Sequence, residues 1–280
     1  MYATGFHYQL FFILLIIALP GLILYLPKMV KELAGNTGKI FLYGNHSNGR
    51  VVTTAVAGQA LITLCIFSMA GVWLSPAIHA RFVFFEAIAQ GRLISKAFEY
   101  QVIPALIYGS VVAFLFIAAY YFLLRPDLPG QSRNALEKFR RNITMLRRVA
   151  FEPIFDEVVF RWGVQSIFTW VAVQFFAVSA LSMWIAIIFT ALFYGAAHLP
   201  VYRAAGAEPM QRKSTLALQT KTVLAVVVLY FPLSVACGVL FWKVGLLAAI
   251  LAHMTFTVIV KVADDNYDKV EKYIINKSNR

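Results

Sequence analysis

The chain has 280 residues, of which 60% are hydrophobic and 14% charged, with a mean hydropathy of +0.72. That balance excludes a soluble globular domain and reads as an all-α, polytopic transmembrane helical bundle. The net charge of +12 does not point to nucleic acid, because the basic residues flank apolar runs without a recognition motif, and membrane proteins gather Lys and Arg in cytoplasmic loops.

Seven spans are predicted, at 8–27, 51–74, 102–124, 153–179, 181–199, 216–236 and 239–260. The first follows Met1 to Gln9 without a basic lead or a small-residue cleavage site, so it reads as a retained span and not a signal peptide. His46 lies in a turn-rich loop, YGNHSNG, and reads as a polar loop residue. Residues 79–100 carry Arg81, Glu86, Arg92, Lys96 and Glu99 at about helical intervals. They form either an eighth, interfacial helix or a solvated connector. The loop 125–148 is the most basic, with Arg125, Arg133, Lys138, Arg140, Arg141, Arg147 and Arg148 against Asp127 and Glu137. It is therefore expected on the cytoplasmic side, together with loops 28–50 and 200–215 and a soluble polar tail, 261–280. The loop 75–101 and the N-terminus then fall outside. The whole, 1–280, is expected to be a single membrane domain. Cys65 and Cys237 both lie in apolar runs, which argues against a disulfide or a thiolate metal site.

Charge inside an apolar run is expensive and marks function. The stretch FEPIFDEVVFR, 151–161, carries Glu152, Asp156, Glu157 and Arg161. On a helix Glu157 faces Arg161, and Glu152 faces Asp156, while Asp156 lies about 100° round from Glu157. An arginine paired with one carboxylate leaves the other for chemistry. His198 in ALFYGAAHLP and His253 in LLAAILAHMTFT lie toward the inner ends of two later spans, at similar depth by connectivity. Tyr194 stands four before His198, and Thr257, with its hydroxyl, four after His253. A carboxylate and an imidazole so placed can activate water, and a second imidazole can support a developing oxyanion. The bland alternatives are a helix cap for Asp156, a structural ion pair for Glu157 and Arg161, a helix end for His198 and a structural contact for His253. No HExxH occurs, and no metal or other cofactor is expected.

The ordered set Asp156, Glu157 and Arg161, then Tyr194 and His198, then His253 resembles the CAAX-processing and bacteriocin-protection intramembrane proteases, also called the Abi family. The resemblance covers 145–260 and leaves three less specific spans in 1–124. It implies a metal-independent endopeptidase in which Asp156 and His198 activate water, or Glu157 in place of Asp156 if Arg161 releases it, while His253 and the residue at 257 support the oxyanion. Two positions depart from the family pattern: Asp156 stands where the family has Glu, and Thr257 where it has Asn. The expected substrate is a membrane peptide or protein, lipidated or not, met in the bilayer. The expected site is the bacterial cytoplasmic membrane, with the endoplasmic reticulum as second choice. Because both departures fall at chemical positions, a non-catalytic relative that binds a membrane-protein partner stands beside the peptidase. A proton-coupled carrier is a third reading, weakened by the absence of paired halves.

Overall fold

The computed structural model describes residues 7–34, 49–78, 80, 83–126, 133, 137, 144–206 and 216–278. The expectations for His46, for most of the basic loop and for residues 207–215 lie outside them. Among the described residues every regular element is helical. These elements are α1 (Tyr8–Ala34), α2 (Gly49–Leu74), the short α3 (Val83–Ala89), and α4 (Ser95–Ala118) with a π-helical extension (Ala119–Leu124). Next, α5 (Met145–Asp156) continues through a π-helical segment (Glu157–Gln165) into α6 (Ser166–Phe176). The last three are α7 (Ala180–Gly206), α8 (Leu216–Lys243) and α9 (Leu246–Ser278).

Among the described residues, four helical stretches are long and apolar enough to cross a membrane: Thr54–Leu74, Ser95–Leu124, Ala180–His198 and Leu246–Tyr267. Tyr8–Pro20 and Leu229–Lys243 are shorter apolar helices. The protein is thus an all-helical, membrane-spanning bundle.

Several boundaries differ from the sequence expectation for local reasons. The stretch 79–100 is not one helix, because Gly91 takes a left-handed φ of 63° and separates α3 from α4. α5 begins at Met145 and carries Pro153 within it, so proline does not mark the helix start here. α6 stops where Ala177 adopts φ 54°. α9 runs on as helix through the polar C-terminal stretch, where Lys261 and Asp264 are buried. Lys261 Nζ lies 2.7 Å from Asp265 Oδ1, and Tyr121, from the extension of α4, donates to Asp264 Oδ1 at 2.8 Å.

Two close approaches fix the bundle. α4 packs along α9 because Gly109 faces the carbonyl of Ala252, and Ala248, Ala249 and Ala252 are all buried. Small residues at a helix crossing let backbones meet where lipid offers no hydrophobic drive. Gln101 then accepts the Ala248 N–H at 3.2 Å, satisfying one of the orphan donors at the start of α9. On the other side α2 meets the π-helical segment. Gly71 lies against Trp162, whose indole N–H donates to the Ser68 carbonyl at 3.0 Å, and Gly163 lies against Phe67.

A β-carbon at Gly71 overlaps both the Trp162 side chain and its carbonyl, whereas one at Gly58, on the same helix, meets nothing within 4 Å. Gly71→Ala should therefore destabilise the fold by about 1–3 kcal/mol. Gly58→Ala should leave stability unchanged or raise it by up to about 1 kcal/mol. Unfolding of the two purified variants in the same detergent measures the contrast.

Candidate active site

The site starts from a buried charge. Arg161, on the π-helical segment, is fully buried, and an ionised guanidinium in an apolar bundle needs a partner. Its Nε donates to Glu157 Oε2 at 3.0 Å, and its Nη2 to Ser234 Oγ of α8 at 2.7 Å. The second oxygen of Glu157, Oε1, lies 2.8 Å from His253 Nδ1 on α9. A carboxylate only accepts, so Nδ1 carries the proton in this contact and Nε2 is the ring nitrogen left over. Both oxygens of Glu157 are thereby engaged.

Asp156 has a different environment. It is the last residue of α5 before the helix widens into its π-helical segment, and it faces α7. Its Oδ2 accepts the Tyr194 hydroxyl at 3.0 Å and lies 3.9 Å from His198 Nε2. His198 Nδ1 sits 2.9 Å from the Tyr194 carbonyl. A carbonyl cannot donate, so Nδ1 carries a proton, and when the ring is neutral Nε2 presents a lone pair toward Asp156. Two acceptors at that separation do not bond directly. The Asp156 and His198 side chains are 15% and 23% exposed, against 1% and 4% for Glu157 and His253. Access from outside therefore reaches the first pair and not the second.

Aromatic faces hold both pairs. His198 stacks on Tyr230 of α8, with ring centroids 4.6 Å apart and planes 19° from parallel. Tyr194 lies 4.4 Å away on a tilted plane, packs edge to face on Phe160 at 4.9 Å, and takes the Arg161 guanidinium over its ring at 5.6 Å. Tyr194 thus touches Asp156, His198 and Arg161 with three different parts of one residue. One turn before Asp156, Glu152 Oε2 pairs with Arg148 Nε at 3.1 Å.

Residues 139–259 match the family model of the type II CAAX prenyl endopeptidases, described as Rce1-like. Over this part, the chain is similar to the Rce1-like CAAX proteases. No curated protein and no solved structure matches. The Rce1-like segment holds every residue of the site just described, and α1 to α4 lie outside it.

Of the residues singled out in the sequence, Asp156, Glu157, Arg161, His198 and His253 meet in this cluster. Neither cap reading applies: Asp156 lies at the end of α5 where the chain stays helical, and α7 runs past His198 to Gly206. Thr257 is buried one turn beyond His253 and makes no hydrogen bond to the acids or imidazoles. Among the described residues, no three His, Cys, Asp or Glu side chains are arranged to hold a metal ion. Sequence reasoning missed Tyr230 and Ser234. Their only signal was a spacing of four within an apolar run, shared with Gly238, whose carbonyl accepts from Gln165 Nε2 at 3.1 Å.

Arg161→Met leaves the Glu157 carboxylate buried beside an imidazole alone and should cost about 3–5 kcal/mol of stability. Adding Glu157→Gln to it should recover part of that loss. Equilibrium unfolding of the two single variants and the double variant in one detergent gives the coupling.

Proposed function

We propose that the protein is an intramembrane endopeptidase that hydrolyses a peptide bond of a membrane peptide or protein with water activated by Asp156 and His198. The reading is supported by the Rce1-like match together with the Asp156–Tyr194–His198 arrangement. The observation that carries it is the pair of acceptors, Asp156 Oδ2 and His198 Nε2, 3.9 Å apart on the accessible side of the cluster. A water between them donates one hydrogen to each, which leaves an oxygen lone pair for a carbonyl carbon. Attack forms the new C–O bond and delivers the water proton to the Asp156–His198 pair. Collapse breaks the C–N bond, and the same pair returns that proton to the leaving amine. Where its Nε2 also carries a proton, His253 offers Nε2–H to the oxyanion, and the Thr257 hydroxyl is the second donor. Glu157 and Arg161 hold His253 and do not touch the substrate.

In this reading the bundle crosses the bilayer seven times. The α5–α6 helix and the apolar parts of α1 and α8 are added to the four long spans, and the site opens toward the cytoplasmic face of a bacterial inner membrane. Catalysis needs no metal. A second reading is favoured by one feature, a hydroxyl at Thr257 in place of a carboxamide. It is a non-catalytic relative that binds a membrane-protein partner through the same scaffold.

In reconstituted membranes Asp156→Ala and His198→Ala should each lower cleavage by about 10²-fold or more while leaving the fold intact. Membrane peptide profiles with and without the wild-type protein supply the substrate for that assay. Retention of biological activity by Asp156→Ala, Glu157→Ala and His198→Ala together favours the scaffold. A strong chelator should leave the wild-type rate unchanged, and loss of activity reversed by a divalent cation overturns the metal-free mechanism.

A further inference from the structure

α8 contributes none of the acids and none of the imidazoles, yet one stripe of it meets the cluster at three successive turns. Tyr230 stacks on the His198 ring, Ser234 Oγ accepts from Arg161 Nη2 at 2.7 Å, and the Gly238 carbonyl accepts from Gln165 Nε2 at 3.1 Å. The spacing of four keeps all three on one face of the helix. Ser234 is fully buried and Tyr230 nearly so. Gly238 is required for the third contact, because a β-carbon there would sit 2.9 Å from Gln165 Oε1 and 3.2 Å from Ile187.

We propose that α8 is the positioning helix of the site, with Tyr230 setting the plane of the His198 imidazole and Ser234 setting the guanidinium that orders Glu157 and His253. The role of this stripe in turnover rests on the peptidase reading. Its role in ordering the two rings does not. His198 stacks on Tyr230, and the tilted Tyr194 ring lies beside it at 4.4 Å. Its Nδ1 is pinned to the Tyr194 carbonyl, so free ring rotation would exchange the nitrogen presented to Asp156. Arg161 is held at one end by Glu157 and at the other by Ser234. Without the serine, the guanidinium loses the contact that aims its Nε at Glu157 Oε2, and Glu157 in turn sets His253. Tyr230 and Ser234 are positioning residues, acting through the His198 ring and the Arg161 guanidinium.

The test uses the full chain, with ¹⁵N-labelled histidine, in lipid nanodiscs. The ¹⁵N shifts of each ring report which nitrogen bears the proton, with or without any hydrolysis. The wild type should show one neutral tautomer at His198, protonated on Nδ1. Tyr230→Leu should add a second tautomer at His198 and leave His253 unchanged, and Tyr230→Phe should restore the single form. Ser234→Ala should shift the His253 ring signals and leave His198 unchanged, and Ser234→Thr should restore them. Where Tyr230→Leu does not fold, Tyr230→Met takes its place. Unaltered ring signals in both Tyr230→Leu and Ser234→Ala overturn the proposal. If a cleavage assay is in hand, both variants should lower kcat about tenfold or more with KM changed less than about twofold, as expected of a misplaced group. Shifted rings without any wild-type cleavage sustain the positioning role and overturn the peptidase reading alone.

Discussion

An arginine with no exposed surface in the middle of an apolar bundle is the constraint from which the rest of the site follows. Leaving that charge unpaired costs several kcal/mol, so the fold must bring a carboxylate to it. Glu157, one turn back on the same helix, supplies one. Once ionised and buried, Glu157 needs its second oxygen met as well, and His253 from α9 meets it. The guanidinium still has donors to spare, and Ser234 of α8 takes one of them. One buried cation thus draws three helices together and determines the orientation of an imidazole that carries no charge partner of its own in sequence.

Asp156 and Glu157 are adjacent, chemically alike and placed in opposite circumstances. Adjacent side chains on a helix point about 100° apart, and the change from α-helical to π-helical winding falls between them. Asp156 therefore meets α7, a tyrosine hydroxyl and a partly exposed imidazole, while Glu157 meets α9 and is sealed. π-helical segments are rare and collect at functional sites. Here the segment separates a carboxylate available to a ligand from one consumed by the structure.

The depth of His253 depends on the packing of α4 against α9. Gly109 and the alanines at 248, 249 and 252 bring α4 and α9 into backbone contact, and Gln101 fastens the start of α9. In lipid such contacts are made by shape and satisfied hydrogen bonds, not by water exclusion. The same logic holds α2 to the π-helical segment through Gly71, Gly163 and Trp162, so the Glu157–Arg161 stretch is pinned on the side away from α9.

The sequence by itself determined that the chain is a helical membrane protein, because twenty-residue apolar runs admit little else in a bilayer. It also singled out Asp156, Glu157, Arg161, His198 and His253, since charge and imidazole are conspicuous where every neighbour is apolar. Helix ends were less legible. Pro153 was read as a start and sits inside α5, and the polar residues beyond Lys261 continue α9, because both boundaries are set by contacts with other helices. Only the tertiary structure decided which acid pairs with which histidine. It also recruited Tyr230 and Ser234, ordinary residues of an apolar span that gain a role through the face α8 turns to the cluster. Pattern along one chain reveals a residue that is costly to bury; it does not reveal the neighbour that makes burial tolerable, because that neighbour is chosen by packing between helices distant in sequence.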